Sequence, residues 1–117
     1  MKQKESTPQI YSVSEITGDV KSILESAFDS IWIEGEISNL RIPGSQHAYF
    51  ILKDNHSQIR CVLFKGFRAG LKFQPDGGDH VLLFGRVTVY ESRGDYQVIV
   101  EHIEPKGLGA LQKAFEK

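Results

Sequence analysis

Apolar and polar residues alternate along most of this 117-residue chain, and the alternation predicts a fold built mainly of β-strands. Successive side chains of a strand point to opposite faces, so each run places its apolar set on one side. Clusters of Gly, Pro, Asn and Asp separate the runs and are typical of turns. The predicted strands cover residues 30–40, 47–54, 58–65, 80–91 and 95–104.

A helix is predicted ahead of the strands, over residues 12–28. Its apolar residues recur three and four positions apart, so they share one face that we expect to be buried. Ser12, with Glu15 three residues later, matches a capping box, which satisfies backbone N–H groups at the start of a helix. The predicted buried face consists of Val13, Ile16, Val20, Ile23, Leu24 and Phe28.

Glycines inside two predicted strands favour a small closed barrel. Gly35 lies within the first strand and Gly85 within the fourth, and glycine at such positions marks a bend or a bulge. Bent strands can serve two sheets, as closure of a barrel requires. Five strands, with a connection after the third over residues 65–73, match the OB-fold. A β-sandwich is the alternative, but that fold usually has about seven strands.

We therefore expect a mainly β domain over residues 11–106, a five-stranded OB-fold barrel with an N-terminal helix. Residues 1–10 are polar and lack the apolar segment of a secretory signal, so they are expected to form a disordered leader. Residues 107–117 carry apolar side chains at helical spacing and are expected to start a further helix. That helix is too short to be stable alone, so either it folds back on the barrel or, as we favour, the chain continues into another region.

Composition narrows the class of protein. No apolar run approaches the roughly 18 residues of a membrane helix, so no membrane partner is expected. Cys61 is the single cysteine, which excludes an internal disulfide, and its apolar neighbours predict a small buried core residue. A cytoplasmic location is the resulting expectation.

Charge is unevenly distributed along the chain. Residues 1–40 hold three Lys against seven Asp or Glu, whereas residues 41–93 hold eight Lys or Arg against four acids. A basic middle segment is compatible with a polyanionic ligand and equally with a solvated basic surface. Charge alone therefore does not choose between the two.

The outward side of the second and third strands is where OB-folds bind oligonucleotides, between the 1–2 and 4–5 loops. The alternation places aromatic and basic side chains there, and the hairpin tip "ESRGDY" borders them. Rings stack on unpaired bases and cations contact phosphates, so this combination predicts binding of single-stranded nucleic acid. The predicted nucleic-acid-binding residues are Arg41, Tyr49, Lys53, Arg60, Phe64, Arg86, Tyr90 and Arg93.

Each of these residues also has an ordinary structural explanation. Tyr49 is a type favoured in strands, Phe64 fits the end of a barrel core, and Arg93 fits a solvated hairpin tip. Glu34 and Glu36 lie on the same predicted side of the first strand, where they would repel phosphate unless paired with Lys or Arg. The joint pattern, rather than any one residue, favours a binding surface.

Catalysis is not predicted for this chain. Its four histidines are scattered without H-E-x-x-H spacing, and the sequence contains neither G-x-S-x-G nor a glycine-rich phosphate loop. The segment "PDGGDH" resembles half of a metal-dependent nuclease motif, but the next strand supplies no acid-x-Lys. We therefore expect no catalytic residue, no metal site and no cofactor.

Four segments form a distinctive series along the chain: "WIEGEISNL", "IRCVLF", "GRVTVYESRGDYQ" and "GLGAL". In their order and spacing they resemble the N-terminal region of the large subunit of bacterial exodeoxyribonuclease VII, and the likeness begins near Tyr11. One departure is Ser92, where the family more often has proline. The tip that carries Arg93 is therefore expected to be more mobile than in the family.

The resemblance implies an OB-fold nucleic-acid-binding domain, followed in the family by a catalytic region and by coiled-coil segments that dock a small subunit. The family's enzymes degrade single-stranded DNA from either end into short oligonucleotides in the cytoplasm, without requiring a divalent metal. By this resemblance the domain's partner is single-stranded DNA, and the small subunit binds the full-length protein elsewhere. Residues 107–117 would then lead to the absent catalytic region.

Two other functions remain open on the residues themselves. The segment "YFILKDNHSQIR" is also similar to strands of tRNA anticodon-binding OB-folds, in which case RNA would be the ligand. A protein-assembly module is the third hypothesis, in which the rings of Tyr49, Phe64 and Tyr90 form an apolar contact patch.

Overall fold

The computed structural model describes residues 7–107, which form a closed five-stranded barrel preceded by a helix. This confirms the predicted fold class. Residues 1–6 of the predicted leader and residues 108–117, where a further helix is predicted, lie outside the described residues. The elements are α1 (Val13–Ala27), β1 (Ile31–Arg41), β2 (Ala48–Lys53), β3 (Gln58–Leu63), α2 (Lys65–Ala69), β4 (His80–Tyr90) and β5 (Asp95–Pro105).

The strand order around the barrel is β1-β2-β3-β5-β4, and β4 closes onto β1. Paired strands are antiparallel except β3 and β5, which run parallel. β1 serves two neighbours, since residues 31–36 pair with β4 and residues 36–41 pair with β2. Gly35 lies at this changeover, where a Cβ would come within 2.7 Å of the Leu52 side chain. The close approach of β2 therefore explains the glycine in the first strand.

Gly85, the glycine within the fourth strand, has even less space for a side chain than Gly35 has. A bulge interrupts the β4–β5 pairing between Phe84 and Gly85. A Cβ added to Gly85 would lie 2.2 Å from the carbonyl oxygen of Ile99, far inside van der Waals contact. Glycine is thus the residue that lets the two backbones approach this closely, as expected for a glycine at a bulge.

Inward-facing residues of all five strands fill the barrel, as the alternation predicts. Cys61 is 3% exposed and belongs to this core, which confirms its prediction as a small buried residue. The largest fully buried side chains are Ile37, Leu63, Leu83, Ile103, Val81, Val98 and Val100.

Burial raises the pKa of the Cys61 thiol to about 12, because desolvation disfavours the thiolate. An unperturbed cysteine thiol has a pKa of about 8.5. At a pH equal to that value, we expect the folded protein to resist alkylation by iodoacetamide, whereas the chain unfolded in guanidinium chloride reacts fully. Mass spectrometry of the two samples measures the difference, and rapid labelling of the native protein would contradict the burial of Cys61.

Helix α1 starts with the predicted capping box. Ser12 Oγ accepts a hydrogen bond from the Glu15 N–H at 3.0 Å, and the Glu15 carboxylate accepts one from the Ser12 N–H at 2.8 Å. The predicted buried face, however, is wrong. No residue of α1, which is described throughout, is buried, and Val13 and Ile23 are 81% and 65% exposed. The reason is that α1 lies mainly against one strand, β4, and packs on the core through Leu24.

Polar contacts connect α1 to β4 and to the hairpin tip. The Thr88 hydroxyl of β4 donates a hydrogen bond to the Glu25 carboxylate. Near the tip, Lys21 Nζ lies 3.5 Å from a carboxylate oxygen of Glu91. The helix therefore supports both β4 and the hairpin tip.

Candidate nucleic-acid interface

A trough of about 480 Å³ lies over the outward side of β2 and β3. The end of β1 and the β4–β5 tip border it, so it occupies the position predicted for a binding surface. Six of the eight predicted residues line it: Arg41, Tyr49, Arg60, Phe64, Tyr90 and Arg93. The other lining residues are Asn39, Phe50, Ile51, Cys61, Val62 and Gln97.

A bulge at the end of β1 directs Arg41 into the trough. The β1–β2 register shifts between Ser38 and Arg41, and Asn39 in this stretch has a φ of 55°, in the left-handed region. Asparagine tolerates that conformation better than most residues do. Past the bulge Arg41 is opposite Tyr49, and its guanidinium carbon lies 5.0 Å from the centroid of the tyrosine ring. Arg41 and Tyr49 thus form a cation–π pair at one wall.

The hairpin tip places a second arginine over a second tyrosine. The N–H groups of Arg93 and Gly94 both donate to the Tyr90 carbonyl oxygen, at 3.1 and 2.8 Å. Gly94 has a φ of 77°, which glycine adopts without steric cost. This turn brings the Arg93 guanidinium carbon to 4.7 Å from the centroid of the Tyr90 ring. The glycine at the tip therefore serves to place the arginine against the opposite wall of the trough.

Strands β2 and β3 form the floor. Tyr49 is opposite Val62 and Ile51 is opposite Arg60 in the antiparallel register, and Arg60 is also opposite Gln97 of β5. Residues two apart on a strand share a face, so these side chains all point to the same side of the barrel. The floor is therefore apolar at Ile51 and Val62, adjoins the Tyr49 ring of one wall, and has a cation and an amide at one end.

Phe64 follows β3 directly, as the N-cap residue of α2, and remains 38% exposed. Its ring packs edge-to-face on His47, with the ring centroids 5.0 Å apart. His47 is held in turn, since its Nδ1 accepts a hydrogen bond from the Lys65 N–H at 3.0 Å. Phe64 is therefore not a residue of the barrel core, and part of its ring is exposed in the trough.

Positive charge dominates the trough. Arg41, Arg60 and Arg93 line it, and the lining set contains no Asp or Glu among the residues that the structure describes. Asp95 stands beside it, with Oδ2 located 3.0 Å from Arg93 Nε and 3.7 Å from Arg60 Nε. An anionic ligand in the trough would therefore meet three guanidinium groups, two of which already share one carboxylate.

Lys53 and Arg86, predicted on the same surface, do not line the trough. Lys53 is at the far end of β2, opposite Glu36 of β1. Arg86 is two residues from Thr88 in β4, on the outward side that α1 contacts. The physical reason is closure of the barrel, because β5 lies between β4 and β3, so Arg86 within β4 is one strand removed from the floor, whereas Tyr90 at the end of β4 reaches the trough.

Both acids that counted against binding also lie outside the trough. Glu34 forms an ion pair with Lys106, just after β5. Glu36 is opposite Lys53 across the β1–β2 pairing. Repulsion of phosphate by these carboxylates is therefore reduced by distance and, for Glu34, by a paired cation.

Sequence reasoning missed two polar residues of the trough, Asn39 and Gln97. The outward orientation of Gln97 follows from the alternation of β5, but its position beside Arg60 requires the parallel β3–β5 pairing. Asn39 belongs to the bulge, which alternation cannot locate. Both side-chain amides can donate and accept hydrogen bonds, so they suit contacts with base edges.

Beyond the trough, the described residues offer little to a metal ion. Within residues 7–107 no group of three or more His, Cys, Asp or Glu is placed to hold one.

The pKa of Asp54 lies below its usual value because the carboxylate accepts hydrogen bonds from the N–H groups of His56 and Ser57. Those bonds close the β2–β3 turn. Across residues 7–107 no helix has the length and apolar character needed to cross a membrane.

Known proteins are similar to this chain in sequence and in fold. The family described as "OB-fold nucleic acid binding domain" matches residues 11–104. The chain is 54% identical, over 106 residues, to the exodeoxyribonuclease 7 large subunit of Geotalea daltonii, a match covering 91% of this chain and 24% of the relative. The chain therefore spans about a quarter of the length of this relative. The match confirms the resemblance found in the sequence motifs.

Solved structures extend the comparison to the fold. The S. pombe Stn1-Ten1 complex superposes with a TM-score of 0.56 at 18% identity, covering 74% of this chain and 65% of that chain. A replication protein A heterotrimer bound to ssDNA superposes with a TM-score of 0.54 at 10% identity, covering 75% of this chain and 66% of that chain. At such identities the likeness concerns the fold, and the sequence match supplies the family. The chain belongs to the family of OB-fold nucleic acid binding domains.

Proposed function

We propose that this domain binds single-stranded DNA in the trough, as the binding domain of an exodeoxyribonuclease VII large subunit. The observation that carries the proposal is the repeated arrangement of a guanidinium over a tyrosine ring, at 5.0 Å for Arg41 and Tyr49 and at 4.7 Å for Arg93 and Tyr90. Each pair combines a surface for a base with a cation for the neighbouring phosphate.

Single strands suit this arrangement better than duplexes. Unpaired bases expose faces that can stack on rings, and each stacking contact is worth about 1–3 kcal/mol. In a duplex those faces are occupied by neighbouring base pairs, so the tyrosines would contribute little. An apolar floor between two aromatic walls therefore favours a strand whose bases are turned toward the protein.

DNA is proposed rather than RNA because of the relatives. The 54% identical relative is named as an exodeoxyribonuclease subunit, which acts on DNA. In this proposal the whole protein acts in the cytoplasm, where it degrades single-stranded DNA. Its catalytic region follows residues 107–117. Its small subunit binds outside the present domain.

A salt series with the purified domain tests the proposal. We expect a labelled single-stranded DNA oligonucleotide to bind, with the logarithm of the association constant falling against the logarithm of the KCl concentration at a slope of about −2. The slope follows from three arginines and about 0.7 counterions released per phosphate contact. Fluorescence anisotropy measures it.

Matched competitors discriminate between the alternatives. A DNA duplex of the same sequence is expected to compete more weakly than the single strand. Stronger competition by RNA of the same sequence would replace DNA with RNA as the ligand. No binding even at low salt, together with a stable oligomer in analytical ultracentrifugation, would favour the protein-assembly module instead.

A further inference from the structure

We propose that Asp95 is an internal counter-ion of the trough, which a DNA phosphate replaces when the strand binds. The proposal rests on the proposed function, because it concerns how the same arginines receive their ligand. Asp95 Oδ2 lies 3.0 Å from Arg93 Nε and 3.7 Å from Arg60 Nε, so one carboxylate oxygen serves two cations.

The shared oxygen occupies the position that suits a phosphate oxygen. Arg60 extends from the floor and Arg93 from the tip, and both line the trough. A phosphodiester carries one negative charge, as the carboxylate does, and guanidinium groups bind both. Replacement would therefore leave the charge balance around the two arginines unchanged.

Exposure of the ion pairs to solvent lowers the free-energy cost of replacing the Asp95 carboxylate. The side chains of Arg60, Arg93 and Asp95 are 52%, 50% and 42% exposed, so solvent screens both ion pairs. Pairs of this kind contribute little to stability, and a carboxylate that leaves them regains its hydration. Buried pairs, by contrast, would hold the carboxylate in place.

Space for the displaced carboxylate exists next to the trough. Asp95 lines a second groove of about 330 Å³, together with Gln58, Gly94 and Tyr96, and Arg60 borders both grooves. A rotation of the Asp95 side chain into this groove frees the arginines while the hairpin backbone remains in place. In the absence of DNA, the carboxylate keeps the two guanidinium groups ordered and lowers the affinity for other anions.

Asp95→Asn is the test, with Glu91→Gln as its matched control. Both changes remove one negative charge from the same hairpin, but Glu91 is paired with Lys21 of α1 rather than with an arginine of the trough. We expect Asp95→Asn to bind a labelled oligothymidine about 2- to 30-fold more tightly than the wild type, the range for losing two exposed ion pairs. Glu91→Gln should gain less.

The salt dependence provides a second measurement. In the wild type the displaced carboxylate takes up a cation, which offsets part of the counterion release from the DNA. Asparagine cannot do so, and the slope against KCl is therefore expected to be steeper for Asp95→Asn than for Glu91→Gln. Asp95→Ala, which keeps no polar group at the position, should behave like Asp95→Asn.

The outcomes separate this proposal from the one on which it rests. Wild-type protein that binds no oligonucleotide at low salt rejects the proposed function itself. Wild-type protein that binds, while Asp95→Asn gains no more than Glu91→Gln, rejects the counter-ion and leaves the function intact. Weaker binding by both Asp95 variants, with unchanged melting temperatures, would also overturn the proposal, because Asp95 would then be holding the arginines for the ligand.

Discussion

Replacing Gly85 by alanine is expected to lower the free energy of unfolding by about 3 kcal/mol, the upper part of the range for overpacking a closely packed site. The added Cβ would lie 2.2 Å from the Ile99 carbonyl oxygen, a backbone atom that cannot move without disturbing the β4–β5 pairing. That pairing also holds the hairpin tip with Arg93 and Tyr90, so binding should fall as well. Chemical denaturation followed by circular dichroism measures the loss.

Gly18→Ala is the control for this change. Gly18 lies within α1, and a Cβ there meets nothing within 4 Å. Alanine is the better helix former, so the variant is expected to be more stable by up to about 1 kcal/mol. The same substitution should therefore have opposite effects in the two elements. A Gly85→Ala protein as stable as the wild type would show that the two backbones are not held as closely as described.

Replacing Tyr49 by alanine is expected to weaken binding of single-stranded DNA roughly 5- to 150-fold, the equivalent of one stacking contact of about 1–3 kcal/mol. Tyr49 lies near the start of β2, and its ring lines the trough, with the Arg41 guanidinium carbon 5.0 Å from the ring centroid. Its loss therefore removes the stacking surface and frees Arg41. Arg60→Ala should act differently, weakening binding and making the salt slope shallower by about 0.7. Fluorescence anisotropy over the same salt series measures both.

Controls for these variants come from outside the trough. Tyr11→Ala removes an exposed ring ahead of α1, and Arg86→Ala removes a guanidinium from β4 on the side that α1 contacts. Each is expected to change binding less than its counterpart in the trough. An effect of Arg86→Ala as large as that of Arg60→Ala would favour the surface predicted from the sequence over the trough found in the structure.

Local patterns predicted the elements of this fold. Alternation located all five strands because each places one face in a single core, and the capping box located the start of α1. Gly35 and Gly85 could be recognised as irregular positions because glycine in a strand interior is costly without a close backbone approach. These features depend on neighbouring residues, which a sequence displays directly.

Contacts between residues that are far apart in the sequence were harder to predict. The sequence showed that Arg86 faces outward, but its distance from the trough depends on the strand order, in which β5 lies between β4 and β3. The apolar face of α1 had the right spacing, yet a helix lying mainly on one strand leaves most of that face exposed. The shared contact of Asp95 with Arg60 and Arg93 likewise depends on parallel pairing of β3 with β5.

Closure of the barrel affects how selective such a domain can be. Each strand pairs with two neighbours, so no strand of β1 to β5 is left as a free edge along its whole length for a backbone partner. Recognition of one base over another then falls to side chains, of which Asn39 and Gln97 are the uncharged amides in the trough. Ring faces accept every base alike. The architecture thus favours a receptor that tolerates arbitrary base sequence.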